Sequence, residues 1–338
     1  MIYYHLKEIE NNRMYKLKFC GDFAKGYESF LMDYLSHVCE VQIDEKQPDF
    51  LISDCFNSDY LKYDCVRILL MGENVTPDFN LFDYAIAFDH LEYGDRYLRF
   101  PLYALQSEFT DAMKKHLRTE EDFLKREKFC NFIFSDSALA DSMRVDFFNE
   151  LNKYKAVDSG GGLLNNIGYR VKSKMDFMKD YKFSIAFENS SKAGYVTEKI
   201  LHAFAAGTIP IYWGAPDVCK DFNPKSFINV NDYNSFQDVI ARVKELDNDS
   251  EKYLAMCKEP IFTENSLCKK YYENSELAWD YIADIIAKGP ESARRIYNRT
   301  TGLNKVYTQV IQCGWDAKRR NNSIDKIKRK IALCLRRL

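Results

Sequence analysis

Short apolar runs alternate along the chain with segments in which apolar residues recur three and four positions apart. Runs of the first kind predict buried strands, and segments of the second kind predict helices that pack on a sheet. The predicted strands are residues 15–20, 50–53, 66–71, 82–88, 132–134, 183–187, 209–213 and 226–230. The predicted helices are residues 29–38, 141–154, the segment between Thr197 and Gly207, and residues 236–246 and 266–288.

The alternation of strand and helix occurs twice, and the highly charged residues 111–129, predicted to be helical or connecting, lie between the two halves. Two such halves predict an α/β protein in which two Rossmann-like domains face a central cleft. We place the first domain at residues 1–135, the second at 136–300 and a helical, basic tail at 301–338. A length of 338 residues with 46% hydrophobic residues suits two domains of ordinary size.

One segment places polar groups where a predicted strand ends and a helix begins. The strand Phe183–Phe187 is followed by Glu188 and Asn189, and Thr197 is the expected N-cap of the next helix. Ligands of open α/β sheets bind beyond the carboxyl ends of strands, where a helix N-terminus attracts anions. Lys199 lies beside this positive helix end, which is unfavourable unless a negative group lies between them. A bound diphosphate would supply that group.

The net charge of −2 is unevenly distributed. Residues 316–338 hold nine Lys or Arg against two Asp or Glu, a net charge of +7, so the rest of the chain carries about −9. An acidic body argues against the broad basic face of a nucleic-acid enzyme. In the tail, one apolar stripe consists of Ile324, Ile327, Ile331, Leu335 and Leu338. This pattern predicts a basic amphipathic helix in peripheral contact with an anionic membrane, with binding to nucleic acid or an acidic protein as the alternative.

Ten cysteines without metal-ligand spacing are typical of a reducing compartment. Residues 1–10 lack the hydrophobic region of a signal peptide, and no run approaches the ~20 apolar residues of a membrane span. We therefore expect a cytoplasmic protein at the inner face of the cytoplasmic membrane. Five scattered histidines and one Asp-x-Asp triplet, Asp247–Asp249, in a polar turn, offer no convincing metal site. The prediction is chemistry without a metal.

Residues Phe187–Gly214 read FENSSKAGYVTEKILHAFAAGTIPIYWG. This segment resembles the donor signature of the α1,3/4-fucosyltransferases, glycosyltransferase family 10. The bacterial branch is the more similar, because Asp221–Phe227 reads DFNPKSF. Further matches are Gly72–Asn74, Phe79–Asp83, Asp95–Arg99 and Gly160–Gly162, so that the resemblance covers roughly residues 66–285. It implies the two-domain arrangement called GT-B.

The resemblance also implies a function. It is that of an inverting α1,3-fucosyltransferase that moves L-fucose from GDP-β-L-fucose to the GlcNAc of N-acetyllactosamine-type glycans. The products would be Lewis-type structures on lipopolysaccharide, and no cofactor would be obligatory. No residue distinguishes α1,3 from α1,4 transfer. The alternatives are a GT-B transferase of another nucleotide sugar and a non-catalytic glycan-binding homologue.

Site residues follow from the same resemblance and from the chemistry of sugar transfer. Glu73 is the proposed general base, and Arg144 and Lys199 are candidates to bind the diphosphate. Asn189 and Tyr195 are expected to contact the fucose or the diphosphate. Glu198 is expected to accept hydrogen bonds from ribose hydroxyls, as acidic residues do in other Rossmann-type sites.

Three of these residues have a plainer interpretation. Glu73 would pair with a neighbouring cation, Arg144 would lie on a solvated helix face, and Glu198 would compensate the helix dipole. His90 and Glu92, in the first domain, are candidates for acceptor contact, with simple loop polarity as the alternative. The joint presence of Glu73, Arg144, Glu198 and Lys199 favours an enzyme over a binding protein.

Overall fold

The computed structural model describes residues 13–135, 140–297, 299 and 301–335, with side chains described as far as residue 318. The strands form two sheets, in which all neighbouring strands are parallel. The first sheet, of order β2-β1-β3-β4-β5-β6, contains β1 (Tyr15–Cys20), β2 (Val41–Ile43), β3 (Phe50–Ser53), β4 (Val66–Leu70), β5 (Tyr84–Ala87) and β6 (Tyr97–Arg99). The second sheet, of order β11-β10-β9-β7-β8, contains β7 (Lys128–Phe132), β8 (Val157–Ser159), β9 (Tyr181–Phe187), β10 (Ile209–Trp213) and β11 (Ile228–Asn229).

Helices cover these sheets. They are α1 (Asp22–Lys25), α2 (Glu28–Ser36), α3 (Phe109–Met113), α4 (Glu120–Leu124), α5 (Met143–Asn152), α6 (Lys174–Met178), α7 (Glu198–Ala206), α8 (Phe236–Asn248), α9 (Ser250–Lys258), α10 (Leu267–Glu273), α11 (Leu277–Ala287), α12 (Gly289–Ala293) and α13 (Gly302–Leu335). Short 3-10 helices lie at Asp59–Lys62, Gly94–Arg96, Leu102–Leu105, Lys115–Leu117, Val218–Lys220, Pro224–Ser226 and Val230–Asp232. Among the described helices, none combines the length and the apolar character that a membrane span requires.

The central strands are buried along their whole length, as expected for parallel strands that are covered on both faces. Every residue of β3, β4, β5 and β10 is buried, and so is every residue of α7 except Glu198, Lys199 and His202. Helix α7 ends where Gly207 adopts a left-handed backbone with φ 77°. The chain can therefore turn at once into β10, so that α7 and its N-terminus are fixed against the sheet.

The two predicted Rossmann-like halves are confirmed, and the differences concern short or polar elements. The strand predicted at 132–134 is β7 and begins at Lys128, within the segment expected to be helical or connecting. The helix predicted at 266–288 is two helices, since the polar residues Asn274–Glu276 interrupt it. The strand predicted at 226–230 is only β11, of two residues. Strands β2, β6 and β8, each of three residues, were not predicted.

The predicted domain boundaries need correction at both ends of the second domain. Strand β7 belongs to the second sheet and precedes the predicted boundary at 135–136. Helix α11 returns to the first domain, where Trp279 packs at 5.4 Å from the Tyr27 ring and the Tyr281 hydroxyl donates to the Asp95 carbonyl at 2.9 Å. In α13, Ile311 packs against the core of the first sheet. The side chains of the tail beyond residue 318, with their predicted apolar stripe, lie outside the described residues.

A buried ion pair joins the two domains. Arg99, at the end of β6, donates from both terminal nitrogens to Asp221 of the second domain, at 3.0 and 2.9 Å. The Tyr103 hydroxyl donates to the same carboxylate at 2.6 Å, and Asp221 is fully buried. Two parallel hydrogen bonds constrain both distance and orientation. This contact fixes how the domains face each other across the cleft.

Candidate active site

Glu73 follows β4 at the carboxyl edge of the first sheet and reaches across to the second domain. The Tyr195 hydroxyl donates to Glu73 Oε2 at 2.9 Å. Tyr195 is only 1% exposed, and its ring packs at 5.0 Å from the Phe88 ring. Burial, with the charges of Glu188 and Glu73, raises the pKa of Tyr195 far above its usual range, so it acts as a donor. The carboxylate of Glu73 is therefore held at the domain boundary by a rigid neighbour.

The loop that carries Tyr195 is anchored to the first domain at further points. Asn74 Nδ2 donates to Ser190 Oγ at 2.5 Å, and Lys192 lies 2.9 Å from Asp89. Gly194 has φ 78°, and a Cβ atom there would lie 2.5 Å from the Phe88 carbonyl. A glycine is required because of both the backbone conformation and this close approach. The loop between β9 and α7 thus connects both domains.

His90 and Glu92 were expected as candidates for acceptor contact. His90 Nε2 instead lies 2.9 Å from Asp217 Oδ2 of the second domain, and Asp217 Oδ1 accepts from the Gly194 amide. Burial and the charge of Arg99 lower the pKa of His90. His90 is thus engaged between the domains, and its contact with an acceptor stays a prediction. Glu92 is exposed.

A cavity of about 350 Å³ lies at the carboxyl ends of β7 and β9. From β7 the chain proceeds to β8 on one side, and it then crosses to β9 on the other side, so the strand order reverses here. Such a reversal is where α/β sheets bind ligands. The cavity is lined by Asn131, Ile133, Phe134, Ser135, Arg144, Lys174, Met178, Ile185, Asn189, Glu198 and Lys199. Four residues predicted from the sequence, Arg144, Asn189, Glu198 and Lys199, thus line one cavity.

Lys199 lies beside a carboxylate that the sequence analysis had not assigned to it. Lys199 Nζ donates to Glu188 Oε2 at 3.1 Å, and Glu188 is fully buried. Burial alone would lower the pKa of Lys199, but the charges of Glu188 and Glu198 outweigh it and raise that pKa. A negative group does lie between Lys199 and the helix end, as the dipole argument required. In this structure that group is Glu188.

Glu188 also organises the start of α7. Its Oε1 accepts from the Thr197 amide at 2.8 Å and its Oε2 from the Thr197 hydroxyl at 2.6 Å. Thr197 is the N-cap residue in position, as predicted, but its hydroxyl donates to Glu188 and makes no capping bond to the helix. A carboxylate from the end of β9 therefore caps this helix in place of the side chain expected.

Arg144 and Glu198 complete the charged part of the cavity. Arg144 Nη2 donates to the Phe187 carbonyl at 3.0 Å and to Asn189 Oδ1 at 2.8 Å, and its guanidinium lies 4.0 Å from the centre of the Phe134 ring. Arg144 is buried, so the solvated helix face is excluded for it. Burial would raise the pKa of Glu198, but the charges of Lys199 and Lys174 outweigh it and lower that pKa. Glu198 is therefore an anion between two lysines.

The sequence analysis missed two candidate residues of the site, Lys174 and Glu188, and the structure places a third, Tyr195, outside the cavity lining. Lys174 lines the cavity from α6, in a polar segment without periodicity that gave no signal. Glu188 had a signal, since a carboxylate directly follows a buried strand, but its partner Lys199 was not foreseen. Tyr195 is not among the lining residues of the cavity and its hydroxyl donates to Glu73, so its contact with the donor stays a prediction.

Two further features bear on the location of the site. Among the residues that the structure describes, His, Cys, Asp and Glu side chains form no group of three or more that could hold a metal ion. A larger cavity, of about 760 Å³, lies along the segment between the domains and the C-terminal end of α7. It is lined by charges of both signs and by none of the predicted site residues. The smaller cavity is therefore the candidate donor site.

Comparison with known proteins places this geometry in a family. The model of the α-(1,3)-fucosyltransferase FucT N-terminal domain matches residues 17–106, and that of glycosyltransferase family 10 (fucosyltransferase), C-terminal part, matches residues 123–258. A crystal structure of an α1,3-fucosyltransferase with GDP-fucose is 30% identical, with a TM-score of 0.62, over 80% of this chain and 92% of that chain.

The chain belongs to glycosyltransferase family 10, the fucosyltransferases. A second crystal structure of an α1,3-fucosyltransferase gives 32% identity and a TM-score of 0.66, over 80% of this chain and 90% of that chain. The fold of this family member is therefore of the GT-B type, as expected. The α-(1,3)-fucosyltransferase FucT of Helicobacter pylori is 40% identical over 249 residues, which are 64% of this chain and 51% of that protein. The chain thus spans about half the length of this relative.

Proposed function

We propose that this family 10 protein is an inverting α1,3-fucosyltransferase that moves L-fucose from GDP-β-L-fucose to the GlcNAc of an N-acetyllactosamine-type glycan. The observation that carries the proposal is the 2.9 Å hydrogen bond between Tyr195 and Glu73. It joins the candidate base of one domain to the loop that supplies Asn189 to the candidate donor cavity of the other and leads into Glu198 of α7. The relatives crystallised with GDP-fucose and with GDP support this donor.

In the proposed reaction Glu73 accepts the proton of the acceptor hydroxyl as that oxygen attacks C1 of fucose. Attack on the face opposite the departing GDP converts the β-linked donor into an α-glycoside. A general base typically contributes 10²- to 10⁴-fold to such a step. Glu73 is half-buried, and the side chains that the structure describes engage only its Oε2, through Tyr195, so that the carboxylate retains capacity to accept a further hydrogen bond.

The leaving diphosphate requires positive charge as the glycosidic bond breaks. Lys199 and Arg144 line the cavity, and both side chains can donate the charge-assisted hydrogen bonds that a diphosphate accepts. We infer that these side chains supply the stabilisation and that no metal is obligatory. Glu198 is an anion and belongs at the ribose hydroxyls, where its charge does not oppose the phosphates.

The proposals for the acceptor and for the cellular location rest on the resemblance to the family and on the basic tail. We propose that the first domain binds the acceptor and that the products are Lewis-type structures on lipopolysaccharide. The basic tail at 316–338 would hold a cytoplasmic enzyme peripherally on the anionic inner face of the membrane. Deleting residues 316–338 should release the protein from anionic vesicles in a flotation assay while donor binding is retained. Persistent flotation of the truncated protein would contradict this part of the proposal.

The test of the function is transfer from GDP-fucose to N-acetyllactosamine in the presence of a chelator, with the product linkage determined by NMR. The proposal predicts an α1,3-linked fucose. Binding of GDP-fucose without formation of product would support the proposed donor and contradict the proposed acceptor. Binding of another nucleotide sugar in preference to GDP-fucose would establish the alternative transferase. Binding of glycan without any nucleotide binding would establish the non-catalytic alternative.

A further inference from the structure

Lys174 is a half-buried cation in the donor cavity, and neither the sequence analysis nor the proposed mechanism has given it a role. It begins the short helix α6, and its side chain lines the cavity with Arg144, Glu198 and Lys199. Its Nζ lies 3.0 Å from His202 Nδ1 of α7. Within the described part of the chain, no carboxylate lies within ion-pair distance of it. An ammonium group in such surroundings is unfavourable without an anion.

The contact with His202 has one arrangement when Lys174 is charged. An ammonium group can only donate, so His202 Nδ1 then presents its lone pair and the ring proton is on Nε2. His202 Nε2 faces Glu108 Oε2 at 3.9 Å. Burial, followed by the charge of Lys174, lowers the pKa of His202 to about 4, which keeps the ring neutral at physiological pH. His202 is therefore a neutral acceptor that orients a charged Lys174.

The charge balance of the cavity distinguishes Lys174 from Lys199. Lys199 is compensated within the protein, by Glu188 at 3.1 Å and Glu198 at 3.6 Å. Glu198 also opposes the burial that lowers the pKa of Lys174, but it is not within ion-pair distance. A diphosphate carries at least two negative charges, which an already compensated lysine cannot balance alone. Lys174 is thus an ammonium group of the cavity with which no carboxylate of the described residues forms a direct ion pair.

We propose that Lys174 binds the diphosphate of the donor directly, with His202 as the residue that positions it. This inference rests on the proposed function and names a further cationic ligand of the same site. Lys174 would take up the negative charge that grows on the leaving diphosphate as its bond to C1 breaks. It adds to the role proposed for Arg144 and Lys199.

The test compares Lys174→Met with Lys179→Met in binding GDP and guanosine by calorimetry or competition. Met keeps the side-chain length and removes the charge. Lys179 belongs to the same segment but has a side chain 60% exposed, which makes it the matched control. We expect Lys174→Met to weaken GDP binding about 10- to 100-fold, since it removes a charge-assisted hydrogen bond. Guanosine binding should be unchanged, because guanosine has no phosphate, and Lys179→Met should behave as wild type.

His202 gives a second measurement that a purely structural role would not reproduce. His202→Leu removes the acceptor of Lys174 and should also weaken GDP binding while guanosine binding is retained. His202→Gln keeps an oxygen acceptor and should restore most of the affinity for GDP. Wild-type affinity of Lys174→Met for GDP would overturn the assignment of Lys174 alone. Failure of the wild-type protein to bind GDP would overturn the proposed function as well.

Discussion

Tyr195 and Glu73 lie in different domains, and the 2.9 Å hydrogen bond between them crosses the cleft. The phenol is almost fully buried, so its position is fixed by the packing of the second domain against Phe88. The carboxylate of Glu73 thereby has a defined place relative to the loop that lines the donor cavity. Catalytic groups lose much of their effect when they are displaced by about 1 Å. This contact is therefore expected to matter for turnover more than for binding.

Tyr195→Phe should lower kcat for fucosyl transfer about 10- to 100-fold, because Glu73 loses the donor that orients it. The KM for GDP-fucose should change little, since Tyr195 does not line the cavity. Steady-state kinetics with both substrates measure the two effects separately. Tyr169→Phe, at a tyrosine 61% exposed, is the control and should match wild type. A raised donor KM with unchanged kcat would restore the sequence-based expectation that Tyr195 contacts the donor.

Glu188→Gln should destabilise the ligand-free protein, because Lys199 loses the nearer of its two carboxylate partners, at 3.1 Å, and retains Glu198 at 3.6 Å. Removing one partner of a buried pair typically costs about 3–5 kcal/mol. GDP supplies a new anion, so the rise in Tm on adding GDP should be larger for the variant than for wild type. Glu264→Gln, at a side chain 86% exposed, should change neither value. An unchanged Tm for Glu188→Gln would show that Glu188 does not compensate Lys199.

Lys115 provides a prediction about stability alone. It lies in a 3-10 helix between the domains and is fully buried, and within the described residues its Nζ has no hydrogen-bond partner. Burial is the main cause that lowers the pKa of Lys115 from 10.5 to about 8, with Arg118 and Arg126 acting in the same direction and Cys257 and Glu259 opposing. The folded state thus binds this proton less tightly than the unfolded state does. The loss of folding stability that results from burying the charged amine is complete below about pH 8 and disappears as the pH rises towards 10.5.

Lys115→Met should therefore raise the free energy of unfolding at pH 7, by roughly 3 kcal/mol on the basis of this shift. The gain over wild type should shrink between pH 8 and 10. Urea unfolding at pH 7 and pH 9.5 measures both, with the exposed neighbour Lys114→Met as control. A gain that is the same at the two pH values would mean that the pKa of Lys115 is not lowered in the folded protein.

The sequence predicted the strands that have four or more residues and are mostly apolar. The runs that became β1, β3, β4, β9 and β10 were identified from local pattern alone, because mostly apolar strands are typical of a parallel sheet covered on both faces. Strands β2, β6 and β8 have three residues each, too few for a period to appear. The return of α11 to the first domain depends on contacts such as that of Trp279 with Tyr27, which no local sequence pattern predicts.

The sequence identified residues that the fold brings together, and it missed residues whose place depends on tertiary contacts alone. Arg144, Asn189, Glu198 and Lys199 line one cavity, and their roles in binding the donor stay predictions. Glu188 and Lys174 were missed, because their roles depend on Lys199 and His202, which are distant in the sequence. Tyr195 belongs to the motif, yet burial turns its hydroxyl towards Glu73. A motif identifies the loop, and packing decides which of its side chains face the ligand.

The central claim is that Glu73 is the base of fucosyl transfer, and single-turnover transfer by Glu73→Gln tests it most directly. Gln keeps the shape of the side chain and an oxygen that can accept from Tyr195, so GDP-fucose binding should match wild type. The account predicts that transfer to N-acetyllactosamine falls by at least about 10²- to 10⁴-fold, because the amide cannot take the acceptor proton. Transfer at a rate close to that of wild type would remove Glu73 from the mechanism.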